Sequence, residues 1–518
     1  MDAIPTEIIA RIVASMCPHQ HMPILFVSHE WRACAQYVQA KQRTCKRHPK
    51  LRDKSKKRIK AKYISWAAKH GSLALVQWAH LSGCPWDRYA CANAARRGHM
   101  EILAWLRANG CPWEEDCCEA AAAGGQLDVL RWLRDNDCPW NERTCSVAAA
   151  HGHLAILQWA RANGCPWDAS TCCAAAANGH LALLQWARAH DCPWSDQVCV
   201  SASQGGHFKV LKWATHKGLS RQDDVVCNHI AERGDLEMLQ WARANGYGWS
   251  HRTCALAAGK GHVDVLKWAR ANGWPWDEWT CAYAAEGGYL DIIKWARANG
   301  CPWDSRTCSQ AAKMGHLDVV QWAHANGCPW EEQCTVLAAE NGRLNVIEWV
   351  KASGYSLCAG VMKAAVRGGH LDIVVWLHAN GAALDENLYA GAALRGRLNV
   401  LRWLHDNGYR SDEGVCPYAA WNGNLDILQW ARANGYPWDE RTCISAARYG
   451  HLDVLQWARA NGCPWDPLVC VEAARGDHLA VLKWALANGC PWTPKVRAVA
   501  WEERAQNVIC WLVETGRA

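Results

Sequence analysis

Apolar and polar positions repeat with a period of 27 residues along most of this 518-residue chain. The clearest marker of the period is a tryptophan, followed in most copies by Ala or Leu, at positions 78, 105, 132, 159, 186, 213, 241, 268, 295, 322, 349, 376, 403, 430, 457, 484 and 511. Fifteen of the sixteen intervals are 27 residues, and the interval from Trp213 to Trp241 is 28. A fixed period of this length predicts a stack of about 17 similar units.

The segment from Trp303 to Trp330 shows how the pattern predicts one unit. Asp304 is a suitable N-cap for a first helix, helix A, which Gly315 ends. The apolar face of helix A is predicted from the spacing i, i+3, i+4 of Cys308, Ala311 and Ala312. Each unit therefore begins with a short amphipathic helix.

A second helix, helix B, is predicted after Gly315, with Asp318 in its first turn, where a negative charge suits the helix dipole. Asn326-Gly327 and Pro329 end it. We expect helix B to bury Leu317, Val319, Val320, Trp322 and Ala323.

Two short helices cannot bury so much apolar surface alone, so the units are expected to stack. The predicted fold class is all-α, a solenoid over residues 60–518. The end units need polar outer faces, and the last unit carries Glu502, Glu503, Arg504 and Gln506 before Trp511.

The repeated phrase resembles the ankyrin repeat. Residues 450–462 are similar to its second helix, and Thr307-Cys308 with Ala311-Ala312 is similar to its first, with Cys in the inward Leu place. The ankyrin period is 33 residues, so about six residues of the projecting hairpin are missing. The resemblance therefore implies shortened ankyrin-like units with short loops and little or no strand.

Residues 1–40 show a different pattern, that of two or three short amphipathic helices. The order Pro-x-Glu-Ile-Ile-x-x-Ile-Val, a gap, then Ile-Leu-x-Val-Ser-x-x-Trp resembles the F-box, which attaches substrate receptors to the Skp1 subunit of cullin-RING ubiquitin ligases. The resemblance implies a Skp1-binding surface made by Pro5, Glu7, Ile8, Ile9, Ile12, Leu25, Val27 and Trp31. The alternative is a hydrophobic cap for the solenoid.

Charge is concentrated in a linker at residues 41–59 and its margin. Lys41 to Lys62 contains twelve Lys and Arg and the single acid Asp53, a local charge of +11, so the rest of the chain carries 7 − 11 = −4. A chain-wide nucleic-acid footprint is not expected. Lys54 to Lys60 is interpreted as a nuclear-import signal, as a patch for an acidic partner, or as a solvated linker.

The chain contains 29 Cys, an odd number, and begins without a signal-peptide pattern or a long apolar run. We therefore expect a reduced, intracellular and cytoplasmic protein without membrane spans. Most Cys recur on helix A or after the Gly that ends helix B, generally seven residues apart across a turn. No Cys-x-x-Cys pair occurs, so the thiols are interpreted as small buried hydrophobes and not as metal ligands.

No catalytic motif stands out, and neither a cofactor nor a metal is expected. Cys17, His19 and His21 have ligand-like spacing but lack a fourth partner. The eight Gly-His histidines are interpreted as turn-stabilising hydrogen bonders, and the helix-B tryptophans as core residues in preference to stacking platforms for nucleic acid.

The favoured function is substrate recognition for a Skp1-cullin-F-box ubiquitin ligase by a monomeric protein, resembling F-box and ankyrin-repeat proteins of large DNA viruses such as pandoraviruses. The alternative is a scaffold or inhibitor without a ligase link. Target contacts are expected where units differ at the exposed end of helix A: Arg96, Arg97, Glu232, Arg233, Lys313, Met314, Glu340, Arg367, Arg395, Trp421, Arg448 and Tyr449.

Overall fold

The computed structural model describes residues 64–81, 83–86, 89–219, 224–382, 388–409 and 414–516. Every ordered element in these ranges is helical, and none of them contains a strand. The predictions for the F-box-like module at residues 1–40, for the linker at 41–59 and for Lys54–Lys60 lie outside the described residues. The all-α prediction is confirmed for the ranges above.

Helices A and B alternate along the chain and recur with the 27-residue period. The chain forms two compact units, the first ending at Trp249 and the second beginning at Ser250. The helices of the first unit are α1 (Leu73–Leu81), α2 (Tyr89–Arg97), α3 (Met100–Ala108), α4 (Glu115–Ala123), α5 (Leu127–Asp135), α6 (Glu142–Ala150), α7 (Leu154–Ala162), α8 (Ala169–Ala177), α9 (Leu181–Ala189), α10 (Gln197–Gly205), α11 (Phe208–His216), α12 (Val225–Arg233) and α13 (Leu236–Ala244).

The second unit continues the alternation, so that even-numbered helices are A helices and odd-numbered helices are B helices throughout. Its helices are α14 (His251–Gly259), α15 (Val263–Ala271), α16 (Glu278–Glu286), α17 (Leu290–Ala298), α18 (Ser305–Met314), α19 (Leu317–Ala325), α20 (Glu332–Glu340), α21 (Leu344–Ala352), α22 (Ala359–Gly368), α23 (Leu371–Ala379), α24 (Leu388–Leu394), α25 (Leu398–Asp406), α26 (Val415–Trp421), α27 (Leu425–Ala433), α28 (Glu440–Arg448), α29 (Leu452–Ala460), α30 (Leu468–Arg475), α31 (Leu479–Ala487), α32 (Pro494–Glu502) and α33 (Gln506–Glu514).

The helix ends form for local reasons that the sequence predicts. The Asp304 carboxylate accepts a hydrogen bond from the Arg306 N–H at 3.0 Å, which satisfies a free donor of the first turn of α18. Gly315 ends α18 in the left-handed conformation, with φ +87°. At the end of α19, the Asn326 amide donates to the Trp322 carbonyl at 2.7 Å. The predicted caps are therefore confirmed.

Neighbouring A helices contact one another more extensively than neighbouring B helices do. In the second unit, for example, α18 packs between α16 and α20 and also contacts α19. The buried faces of the A helices consist mostly of Ala and Cys, and these small side chains allow close approach. The B helices bury an apolar pair and a third residue, such as Val319, Val320 and Ala323.

The prediction that the helix-B tryptophan is a core residue is wrong in its degree of burial. Trp322 and Leu317 are only partly buried, unlike Val319 and Val320. The helix-B and loop tryptophans of one repeat pack against the core from its margin: Trp276, Trp295 and Trp303 cover the fully buried group of Cys281, Ala296 and Cys301. The large indole ring lies at the rim because the narrow space between helices is filled by smaller side chains.

None of the helices in the described ranges is long and apolar enough to cross a membrane. The last 27-residue repeat exposes Glu502, Glu503, Arg504 and Gln506, as its sequence predicts. It also exposes Trp501, an aromatic residue that the analysis of its polar face does not anticipate.

Candidate functional site

The twelve residues expected to contact a target lie at the carboxyl ends of A helices, a set of positions named the A-end surface. In the first unit they end α2 and α12, and in the second unit they end α18, α20, α22, α24, α26 and α28 or follow directly after them. Most are exposed, whereas Glu232, Lys313 and Glu340 are partly buried. Within each unit, the variable residues thus occupy equivalent positions of their repeats.

Three of the predicted residues form one aromatic and basic cluster in the second unit. The rings of Trp421 and Tyr449 are stacked, with centroids 5.0 Å apart and planes 11° apart. Arg448 extends over Tyr449 at 5.9 Å, and the rings of Tyr418 and Trp421 are also stacked, with centroids 6.1 Å apart. Trp421 and Tyr449 remain 40% and 39% exposed. Two large rings therefore form a continuous surface across adjacent repeats.

Charged residues flank this cluster, and one of them was missed by the analysis of the sequence. Arg448 lies 3.3 Å from Glu472, which also pairs with Arg475 and is 7% exposed. Glu472 sits within α30 and not at its end, so its repeat position gives no sign of this role. Further along the A-end surface, Glu340 and Arg367 are 3.9 Å apart. Exposed pairs of this kind contribute little to stability, about 0–1 kcal/mol, and leave their charges available to a partner.

The Gly-His histidines have a different role from the predicted one. In the second unit, Nε2 of His316 lies 3.1 Å from the Glu286 carbonyl and Nε2 of His370 lies 3.0 Å from the Glu340 carbonyl, thirty residues earlier. Each histidine therefore caps the A helix of the preceding repeat and does not stabilise its own turn. Arg343 does the same with the Lys313 carbonyl at 3.1 Å.

One predicted contact residue makes a similar hydrogen bond to the preceding repeat. In the first unit, Arg233 donates to the Gln204 carbonyl at 3.4 Å, at the end of the preceding A helix. Its position in the repeat is that of a variable exposed residue, but its guanidinium stabilises a carbonyl that α10 leaves unsatisfied. No sequence signal separates Arg233 from its neighbours at the A ends.

A second recurrent arrangement was also missed by sequence reasoning. In nine repeats an arginine near the end of helix B lies over the tryptophan of the following loop, at 3.4 to 4.8 Å from the ring centroid. The loop tryptophan also meets the helix-B tryptophan of the next repeat edge to face, as Trp303 meets Trp322 at 5.9 Å. One signal could have revealed it, the recurrence of an arginine two residues after the helix-B tryptophan and six residues before the loop tryptophan.

The structure pairs the thiols between consecutive repeats. Cys308 contacts Cys328, twenty residues later, and not the loop cysteine seven residues before it. The hydrogen bond with Cys328, followed by burial, raises the pKa of Cys308 far above its ordinary value. The Cys328 thiol donates to the Asp304 carbonyl at 3.3 Å. The thiols of the described residues are free, and most are buried.

Within the described ranges, no group of three or more His, Cys, Asp or Glu residues is arranged to hold a metal ion. The absence of catalysis stays a prediction.

No protein-family model matches the chain, and no curated protein matches it. Among solved structures, it is similar to the pentatricopeptide repeat protein PPR10 in complex with an 18-nt psaJ RNA element, at 13% identity and a TM-score of 0.35, over 99% of this chain and 94% of that chain. A structure of the pentatricopeptide repeat protein PPR10 from maize matches at 14% identity and a TM-score of 0.30, over 97% of this chain and 93% of that chain.

The human ASB11 ankyrin repeat domain is similar at 17% identity and a TM-score of 0.22, over 36% of this chain and 84% of that domain. Similarity at these levels adds no argument about the fold or the function of this chain. The expectation that nucleic acid is not a partner gains no support from it.

Proposed function

We propose that this chain is a protein-binding solenoid whose A-end surface holds a target protein, and that its N-terminal module links the target to a Skp1-type ubiquitin ligase. The observation that carries the binding role is the stacked pair of Trp421 and Tyr449, exposed on adjacent repeats. Trp, Tyr and Arg are the residue types that dominate binding energy at protein interfaces. Arg448, which lies over Tyr449, adds the third of these residue types to the cluster.

The cluster is also suited to binding by its rigidity. Trp421 and Tyr449 stack on each other, so each ring restricts the other and less side-chain freedom remains to be lost on binding. The Trp421 carbonyl accepts from His451 at 2.9 Å, which anchors the end of α26 to the following repeat. A target would thus meet preformed aromatic area with a charged border.

The ligase link rests on the sequence pattern of residues 4–32 alone. Its test is a pull-down of purified Skp1 by the full chain, beside a Pro5→Ala, Leu25→Ala variant with the same circular dichroism. Binding that the double substitution abolishes supports the link. If the intact, folded chain does not bind Skp1, the alternative of a scaffold or inhibitor without a ligase link replaces it.

The binding surface has a separate test. Proteins cross-linked to the full chain in cells are compared with those cross-linked to a Trp421→Ala, Tyr449→Ala variant, and we expect the main partner to be recovered at least tenfold less. Trp501→Ala is the matched control, because Trp501 is 52% exposed on an A helix but lies outside the twelve positions. Equal recovery of every partner by the double variant would show that this cluster does not bind the target.

A further inference from the structure

Two loop tryptophans of the second unit, Trp330 and Trp492, lack the arginine that elsewhere covers such a ring, and at Trp492 the position is occupied by Leu486. At Trp330 the arginine position is occupied by His324. The imidazole of His324 does not cover the indole, since the two rings meet edge-on at 6.3 Å with planes 83° apart. Among the Lys and Arg side chains of the described residues, none lies over Trp330, whereas Arg297 lies 4.3 Å over Trp303 in the preceding repeat.

His324 is held away from Trp330 by a tyrosine of the next loop. Its Nε2 lies 2.6 Å from the Tyr355 hydroxyl. The first unit offers a contrast, because His80 also replaces the arginine there but stacks directly on Trp86, with centroids 4.2 Å apart and planes 18° apart. Replacement of the arginine by histidine is therefore not enough to leave the loop tryptophan uncovered. Trp330 is uncovered because His324 pairs with Tyr355.

The equivalent loop of the next repeat also departs from the repeat sequence, and a cavity lies beside it. Residues 355–357 are Tyr-Ser-Leu where many other repeats have Cys-Pro-Trp. A half-open cavity of about 310 Å³, named the Trp330 pocket, lies beside the loop, and its walls include Trp330, Tyr355, Glu332, Thr335 and Ser356. Its volume is at the lower end of the range for ligand pockets, which is enough for the end of one long side chain.

The walls of the Trp330 pocket are chemically suited to a cation. The rings of Trp330 and Tyr355 are inclined by 39° with centroids 6.0 Å apart, so they form two sides of a V. Aromatic faces attract cations through their quadrupole, most strongly at Trp. Glu332 supplies a negative charge, and neither Lys nor Arg lines the cavity. A neutral apolar ligand would gain nothing from Glu332.

We propose that the Trp330 pocket binds an organic cation carried by a partner polypeptide, either the guanidinium of an arginine or the methylated ammonium of a lysine. Both present a weakly hydrated positive charge to an aromatic face, and the chain itself places a guanidinium over the equivalent tryptophan in nine repeats. Glu332 begins α20 and Glu340 ends it, so the pocket and the A-end surface lie at opposite ends of this helix. The proposal therefore does not depend on the A-end surface or on a ligase link.

The test uses the full chain and three small probes: N-acetylarginine amide, N-acetyl-Nε-trimethyllysine amide, and the tert-butyl carbon isostere of the latter, which has the same shape without charge. Binding is measured by saturation-transfer NMR. We expect at least one cationic probe to bind at least fivefold more tightly than the neutral isostere. The tighter of the two cationic probes identifies the side chain that a partner presents.

Two variants locate the site. Glu332→Gln removes the negative charge and is expected to weaken binding of the cationic probe at least fivefold. His324→Arg restores the covering guanidinium and is expected to abolish binding of the probe. The matched control is Glu440→Gln, at the same helix position beside Trp438, which Arg432 covers at 4.4 Å. It should bind as the unmodified chain does.

Each alternative outcome contradicts the proposal. These are equal binding of the neutral isostere, undiminished binding by Glu332→Gln, and no saturation transfer to any cationic probe. The melting temperature of each variant is measured alongside. If His324→Arg does not fold, the exposed substitution Glu332→Gln with its Glu440→Gln control decides the matter.

Discussion

The guanidinium carbon of Arg297 lies 4.3 Å from the centroid of the Trp303 indole, and Nη1 of the same arginine donates to the Cys301 carbonyl. Trp303 in turn meets Trp322 of the next repeat edge to face. One arginine therefore connects the end of α17, the loop after it and, through the indole, α19. The hydrogen bond and the cation–π contact recur together at Arg134, Arg161, Arg270, Arg432 and Arg459, which makes the connection a repeated element of the stack.

Replacing Arg297 by Met should loosen this connection. Met retains an apolar stem but loses the cation–π contact and the hydrogen bond to Cys301, each of which contributes about 0.5–1.5 kcal/mol. We expect amide hydrogen exchange in α17 and α19 to become about tenfold faster, with α26 to α29 unchanged. In Arg297→Lys, which keeps the charge, the exchange rates of α17 and α19 should lie between those of the unmodified chain and those of Arg297→Met. Unchanged exchange in Arg297→Met would show that the arginine is only a surface residue.

His316 should be replaceable by arginine but not by alanine. Its ring donates to the Glu286 carbonyl, and Arg343 and Arg397 donate in the same way to the Lys313 and Arg367 carbonyls at 3.1 Å. We expect His316→Ala to cost about 1 kcal/mol at the end of α16 and His316→Arg to cost less than half of that. Hydrogen exchange of the last turn of α16 measures both. An arginine variant as unstable as the alanine variant would contradict the capping role.

Two threonines at the same position of helix A should respond oppositely to valine. The buried Thr307 hydroxyl has no hydrogen-bond partner among the described residues, whereas Thr253 accepts from the Ser250 N–H at 3.3 Å. Thr307→Val removes an unsatisfied polar group and should be neutral or stabilising by about 1 kcal/mol, while Thr253→Val should destabilise by about 1 kcal/mol. Melting temperatures of the two variants provide the comparison, and shifts of the same sign would contradict it.

Stability should fall in alkaline solution through the buried thiols. Burial raises the pKa of Cys254 from 9.0 to about 12, so above pH 9 the unfolded chain loses a proton that the folded chain keeps. The stabilisation is complete below pH 9 and is lost between pH 9 and about 12, at up to about 1.4 kcal/mol per pH unit.

The deficit of Cys254→Ala relative to the unmodified chain should therefore shrink by up to about 2 kcal/mol between pH 9 and pH 10.5. Val265→Ala, which also removes buried apolar volume but no titrating group, should keep a constant deficit. Urea unfolding at each pH measures both. A Cys254→Ala deficit independent of pH would rule out the thiol as the source of alkaline sensitivity.

Much of the fold could be predicted because its determinants are local. The N-cap at Asp304, the left-handed Gly315 and the Asn326-Gly327 end of helix B each act within about four residues, and the 27-residue period repeats them. The location of the variable residues at the ends of A helices follows from the same period. The stacking of Trp421 on Tyr449 into one surface does not follow from the period, because these residues are 28 positions apart and belong to different repeats.

The sequence by itself determined where the helices begin and end, since capping and apolar periodicity depend on neighbours along the chain. Only the tertiary structure decided which side chains meet across repeats: histidine with the carbonyl thirty residues before it, cysteine with the cysteine twenty residues later, and arginine with the indole that the next repeat packs against. The angle and distance between stacked helices set these contacts. The same geometry keeps the helix-B tryptophans at the rim of the core and leaves Trp330 uncovered by a guanidinium.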